Sequence, residues 1–254
     1  MKDSVASTYP QSVTVGPYPG SPLPAVRTIR DFYAFEQHVK TCRAQRGLDM
    51  VPQWYEIPVF YFSNPNSVIG HGDVVLCPDN TSQLDFELEL AVVIGEECIN
   101  LPPDDSAMNV VAGFTIYNDW SARDLQRQEM AVGLGPSKGK DFANALGPSV
   151  VSLNSLKDHF KDGRLHVAMT ASINGRIVSR GNGGTMYWTW PQLLSHASRN
   201  CKLMPGDVIG SGTVGGGCIL ELTPEVVGGW VQVGDVVRLE VDGLGVLENR
   251  VVRS

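Results

Sequence analysis

The stretch LDFELELAVVIG, residues 84–95, sets Asp85, Glu87 and Glu89 in alternation with Phe86, Leu88 and Leu90, then runs into Ala91, Val92, Val93 and Ile94. Side chains of a β-strand alternate between two faces, so the three carboxylates share one face and the apolar set the other. Like charges stacked at this spacing repel, and the apolar run that follows belongs in an interior where a bare carboxylate is costly. Two arrangements relieve the conflict. Either the strand lies at a sheet edge with its acidic face in water, or a cation sits among the carboxylates.

The chain is long enough to build the interior this strand needs. At 254 residues, 43% hydrophobic and 19% charged, it has room for one large domain or two small ones. A formal charge of −7 and the lack of any Lys/Arg run argue against a surface that tracks phosphates, so nucleic acid is not an expected partner. No segment reaches the roughly 18 consecutive apolar residues of a membrane span, and residues 1–26 contain no continuous apolar run of the signal-peptide kind. A soluble cytoplasmic protein without membrane attachment is expected. Cys42, Cys77, Cys98, Cys201 and Cys218 are odd in number and lack CxxC spacing, and they read as buried small hydrophobes, not as disulfides or zinc ligands.

Residues 1–26 are rich in Pro, Gly and Ser and suggest an extended arm ahead of a single domain over 27–254. In residues 27–46, Phe32, Phe35, Val39 and Cys42 recur at helical spacing, with Asp31 placed to cap the start. A second helix is expected after Ser121, whose spacing to Asp124 suits a capping box, and a third from Trp190 to about Arg199. Most of the remainder reads as short strands, at 57–62, 73–77, 86–94, 110–117, 148–153, 165–173, 207–211, 218–222 and 235–241. The pattern is a β-rich α+β chain without regular strand–helix alternation.

Taken together, DFYAFEQH (31–38), LDFELELAVVIG (84–95), NDWSARDLQRQE (118–129), GLGPSKGKDF (133–142), MYWTWPQLLSH (186–196) and LMPGDVIGSGT (203–213) resemble the fumarylacetoacetate hydrolase family. The resemblance implies a mixed β-sandwich roll with a few flanking helices, a homodimer, and a metal-dependent enzyme acting on a small diketo or oxo acid. It implies Asp31, Glu87, Glu89 and Asp119 as metal ligands and His38 with Glu221 as a water-activating pair. Arg123, Gln126 and Lys140 match groups around the developing oxyanion, and Tyr33, Tyr61 and Thr213 match substrate contacts. Met130 stands where fumarylacetoacetases carry a substrate-contacting Tyr, and both Arg43 and Arg46 lie near the position of a substrate-binding Arg.

Four carboxylates without a soft donor suit a hard divalent ion, Mg²⁺ or Ca²⁺ with Mn²⁺ as an alternative. Glu87 and Glu89, two apart on a strand, reach one ion, while Asp31 and Asp119 converge on it from a helix start and a loop. Asp85 has no match among the ligands and reads as a supporting or solvent-exposed group. The expected reaction is hydrolytic cleavage of a C–C bond in a 1,3-diketo acid. The alternative is decarboxylation, hydration or tautomerisation of a 2-oxo acid on the same scaffold. GSGTVGGG (210–217) reads as a turn beside the pocket with Thr213 facing in, and Trp188 and Trp190 as packing residues.

Overall fold

In the computed structural model, which describes residues 26–253, Leu88–Ile94 is the central strand of a seven-stranded mixed sheet. The order across that sheet is Phe60–Ser63, Ile29–Phe32, Val208–Gly210, Leu88–Ile94, Val111–Asp119, Asn144–Leu146 and Val68–Ile69. Alternation sorts its two faces. Leu88, Leu90, Val92 and Ile94 join Phe114, Ile116 and Ile209 in the main core. Ala91 and Val93 belong to a smaller cluster with Ile29, Tyr117, Leu146 and Val208. Asp31, Glu89 and Asp119 have the same parity as Ile29, Ala91 and Tyr117, so their side chains leave the sheet on the side of the smaller cluster.

A five-stranded sheet, in the order Arg176–Asn182, Ala168–Ile173, Val236–Val241, Gly245–Arg253 and Val74–Cys77, contributes Met169, Ala171, Leu239 and Val251 to the main core. Each large apolar side chain fully buried there stabilises the fold by about 1.5–3 kcal/mol relative to exposure. The helices lie around the sheets: α1 is Glu36–Ala44, α2 Arg123–Val132, α3 Trp190–Ser198 and α4 Ile219–Leu222. At the start of α3, Thr189 and Gln192 form a capping box, and the helix buries Trp190, Leu193 and Leu194. Trp188 is buried beside it. Among the described residues no helix is long and apolar enough to cross a membrane.

Several local expectations are corrected. Apart from Val26, the arm expected over 1–26 lies outside the described residues. Asp31 does not cap a helix. It sits in a strand, paired in register with Gly210 on one side and Tyr61 on the other, and α1 starts only at Glu36. The sheet's ladder takes up the backbone groups that a helix would have used. Ser121 caps nothing, because it pairs with Asp85 in a two-stranded ribbon, and Asp124 binds the Ser82 backbone N–H and the Thr81 hydroxyl. Asp119 ends a strand and is not in a loop.

Over 148–153 only an isolated bridge from Val151 to Phe114 forms, and the strands Arg176–Asn182 and Gly245–Arg253 had no clear sequence signal. Of the cysteines, Cys42 and Cys218 are buried, Cys77 and Cys98 half-buried, and Cys201 exposed.

The largest departures meet at Asp85. The expected continuous strand over 86–94 is broken, with Leu84–Asp85 pairing to Ser121–Ala122 and a new strand beginning at Leu88. The expected strand at 218–222 is α4. Asp85, far from solvent-exposed, is wholly buried, and its carboxylate accepts the backbone N–H groups of Ile219 and Leu220 at 2.8 and 3.0 Å and Arg123 Nε at 2.8 Å. An anion at the first N–H groups of a helix satisfies donors that have no partner within it. Asp85→Ala leaves the Arg123 charge buried with one counter-ion fewer and those N–H groups bare, and should destabilise the fold by about 3–5 kcal/mol in urea unfolding. A loss below about 1 kcal/mol would show that this network is not structural.

Candidate metal and acid–base site

Strand ends bring four carboxylates to one point. A carboxylate oxygen from each of Asp31, Glu87, Glu89 and Asp119 lies within 4.8 Å of the others, and all four residues are buried. Gly210 makes room for this: a Cβ there would stand 2.3 Å from Asp31 Oδ1. Glu87 lies in the break between two strands, where its N–H is held by Asn118 Oδ1 at 2.9 Å. Thr213 Oγ1 donates to Glu89 Oε1 at 3.2 Å, and the Gly212 N–H donates to Asp31 Oδ1 at 3.2 Å. The hydroxyl of Tyr61 donates to Asp119 Oδ2.

Two cations offset part of the charge. Lys140 Nζ donates to Glu87 Oε2 at 2.7 Å, to Asp119 Oδ2 and to Ser121 Oγ at 2.8 Å, so its three donors are all engaged. Arg123 donates to Glu87 Oε1 and, through Nη1, to Gln126 Oε1 at 3.0 Å. Burial pushes the Glu87 carboxyl up, but Lys140 and Arg123 outweigh it and hold it below the usual range. The other three go the opposite way. Burial, with Asp119 nearby, raises Asp31 well above the ordinary carboxylate range. Burial with Asp31 nearby does the same to Glu89, and burial pushes Asp119 up to about 6 against the pull of Lys140.

Among the described residues, Glu89 Oε2 and Asp119 Oδ1 are buried and have no hydrogen-bond partner. Bare acceptors turned toward other carboxylates are costly, and an all-oxygen donor set of this size fits a hard divalent ion. Asp31, Glu87, Glu89 and Asp119 would hold it.

Beside this cluster, His38 Nδ1 and Glu221 Oε1 stand 2.6 Å apart in a buried pair, and Glu221 Oε2 accepts the Gly216 N–H at 3.0 Å. Asp31 and His38 come from different elements, the strand and α1, and not from two turns of one helix. Burial alone would lower the ring's pKa. Its contacts with Cys218 and Glu221 outweigh that and push it up to about 10. Burial keeps the Cys218 thiol neutral, so the carboxylate of Glu221 carries the effect at neutral pH.

A cavity of about 690 Å³ opens onto both groups, lined by the metal-site carboxylates Asp31, Glu87 and Glu89 together with His38, Arg123 and Lys140. Tyr33, Tyr61, Gln126, Met130 and Thr213 also face it, and Tyr33 packs edge-on against His38. Glu221 stands behind the His38 ring. Arg43 and Arg46 both reach the cavity, and so does Arg127, which is exposed and donates to Gln83 Oε1. Lys138 is exposed and pairs with Asp141, which separates it from Lys140. Asp85, Asn118, Ser121 and Gly210 support the site; they lie within the quoted motifs but have no ligand or catalytic role in the sequence reading. For Asp85 the alternation in LDFELEL was the available signal.

Fold and site together define a β-rich protein built around a nest of buried carboxylates. Residues 27–252 match the family described as Fumarylacetoacetate (FAA) hydrolase C-terminal, and the chain belongs to that family. It is 31% identical over 242 residues to the fumarylacetoacetase of Arabidopsis thaliana, covering 76% of this chain and 57% of that one. It is 34% identical over 200 residues to an oxaloacetate tautomerase of Bacillus subtilis, covering 77% and 62%. The chain thus spans less than two thirds of the length of either relative. Fumarylpyruvate hydrolase from Pseudomonas aeruginosa, solved in complex with Mn²⁺ and pyruvate, matches with a TM-score of 0.74 at 25% identity, over 94% of this chain and 95% of that one.

The raised carboxylates link stability to pH. The folded, metal-free protein retains protons that the unfolded chain releases near pH 3.8, so its stability falls as pH rises from there, and for Asp119 the loss is complete above about pH 6. A divalent ion that binds the ionised groups should reverse this. The gap in urea midpoint between Mg²⁺ and chelator should be small at about pH 4 and wide at about pH 7. An equal gap at both values would contradict the site.

Proposed function

We propose that this chain hydrolyses a C–C bond in a 1,3-diketo acid, a fumarylacetoacetate-like or acylpyruvate compound. The observation that carries the reading is the buried His38–Glu221 pair opening onto the same cavity as the four-carboxylate cluster. Asp31, Glu87, Glu89 and Asp119 would hold a divalent cation, Mg²⁺ or Ca²⁺ by the hardness of these donors, which would supply positive charge to polarise a substrate carbonyl. With Nδ1 committed to Glu221, His38 has Nε2 left to take a proton from water.

Water adds to the acyl carbonyl as His38 takes its proton. The bond from that carbon to the central carbon then breaks, and the proton returns to the central carbon. Gln126 supports the oxyanion, because its Oε1 is held by Arg123 and its amide N–H₂ is left to donate. Lys140 can join only by releasing one of its three partners. Arg43, Arg46 and Arg127 provide cationic groups for a carboxylate of the substrate. Met130, half in solvent on the cavity wall, offers an apolar surface to the acyl group.

The second reading, tautomerisation of a 2-oxo acid, is favoured by the likeness to the Bacillus tautomerase. It needs the proton shuttle of His38 but no added water. Product analysis separates the two after incubation with acylpyruvates, fumarylacetoacetate and oxaloacetate in Mg²⁺. Two acidic fragments from a diketo acid support hydrolysis, whereas keto–enol exchange of oxaloacetate without cleavage supports the alternative.

His38→Ala should lower kcat at least about a hundredfold with metal affinity unchanged, the loss expected for a general base. A near-normal rate would exclude an activated water. The ring must shed its proton before acting as base, so kcat/KM should rise with pH along a limb set by His38. Glu221→Gln removes the group that holds this proton and should move the limb to lower pH. A limb that stays in place would assign it to another group.

A further inference from the structure

We infer that the pocket behind the His38 ring is a second cation site, one for soft divalent ions such as Zn²⁺ or Cd²⁺, built from His38, Cys218 and Glu221 with Cys42 alongside. One donor atom each from His38, Cys218 and Glu221 lies within 4.8 Å of the other two, and all three residues are buried. The Cys218 thiol is 3.8 Å from Glu221 Oε1, and Cys42 Sγ is 3.8 and 3.9 Å from the two ring nitrogens of His38.

In a tetrahedral zinc site, with bonds of about 2.0–2.3 Å, neighbouring donors stand roughly 3.3–3.8 Å apart. The contact between Cys218 and Glu221 already has that spacing, and Cys42 stands beside the ring outside the set of three donors. The 2.6 Å contact between His38 and Glu221 has to open by about 0.7 Å as the ion takes the place of the shared proton. That proton and the thiol protons leave to solvent.

The two clusters sort cations by donor chemistry. The strand-end cluster is all oxygen, whereas this pocket offers sulfur and nitrogen together with one carboxylate. No spacing in the sequence marks it, since Cys42 lies on α1 and Cys218 immediately precedes α4, and only the packing of those helices joins them. The consequence for activity rests on the role of His38 proposed above. An ion held here ties up the imidazole, so soft metals inhibit the Mg²⁺-supported reaction reversibly.

The test is a Cd²⁺ titration of the full chain saturated with Mg²⁺, following the ultraviolet thiolate-to-cadmium absorption and activity on a cleavable diketo acid in parallel. The absorption should saturate near one equivalent while activity falls, and chelation followed by fresh Mg²⁺ should restore the rate. Cys201→Ser, which removes the exposed thiol, should change neither signal. Cys42→Ser and Cys218→Ser should each weaken Cd²⁺ binding at least about tenfold. If one of them does not fold, the other gives the same reading. No thiolate absorption in the Mg²⁺-saturated wild type, or absorption that survives in both variants, overturns the site. Saturable absorption lost in the variants, but with undiminished wild-type activity, leaves the site standing and overturns the role of His38.

Discussion

Four carboxylates held within 4.8 Å of one another, away from water, are the constraint around which this molecule is organised. Their repulsion is large wherever solvent cannot screen it. The fold answers with Lys140, whose three donors reach Glu87, Asp119 and Ser121, and with Arg123, clamped between Asp85 and Glu87. Among the described residues these cations leave Glu89 Oε2 and Asp119 Oδ1 unpartnered, a deficit that a divalent ion held there would offset. The surrounding sheet holds this arrangement against relaxation, because each acidic strand is paired on both sides.

Core and site are therefore two faces of one sheet. The alternation that sends Leu88, Leu90 and Val92 into the main core sends Glu89 to the opposite side, so slipping this strand by one residue would exchange the core for the site. Gly210 marks how closely the two are fitted, since its missing side chain is the space that Asp31 occupies. Asp85 ties the acid–base pair into the same frame. By holding both Arg123 and the start of α4, it fixes Glu221 relative to the carboxylates through two side chains and one short helix.

Relatives named as a fumarylacetoacetase, a fumarylpyruvate hydrolase and an oxaloacetate tautomerase share this scaffold. Binding an oxo acid through hard oxygen ligands is common to such reactions, and what separates them is where a proton is taken and returned. In the function proposed for this chain, that decision falls to His38 and its neighbours. The ring is bonded to a carboxylate on one side and flanked by the buried thiols of Cys42 and Cys218, a setting unlike the all-oxygen cluster a few residues away in space.

Much of the site was legible in the chain itself. The LDFELEL alternation posed a choice between an edge strand and a bound cation, and long ordered motifs identified the family and singled out Asp31, Glu87, Glu89 and Asp119, which the fold brings together, and Glu221, which it sets beside His38. Trp190–Ser198 was readable because its capping signal and apolar stripe are local. What the sequence misplaced depends on long-range pairing. Asp31 looked like a helix cap until the strand Val208–Gly210, 177 or more residues away, paired with it. The ILEL run looked like a strand until Asp85 capped it as a helix.

The sequence by itself determined which functional groups the protein owns and which face of its central strand they occupy, because alternation and residue chemistry are local properties. Only the tertiary structure decided that Asp85 supports the site instead of facing water, that Arg127 borders the cavity, and that two cysteines far apart in the chain stand beside one histidine. Each of these depends on hydrogen bonds and packing between distant segments, whose stabilisation no local pattern encodes.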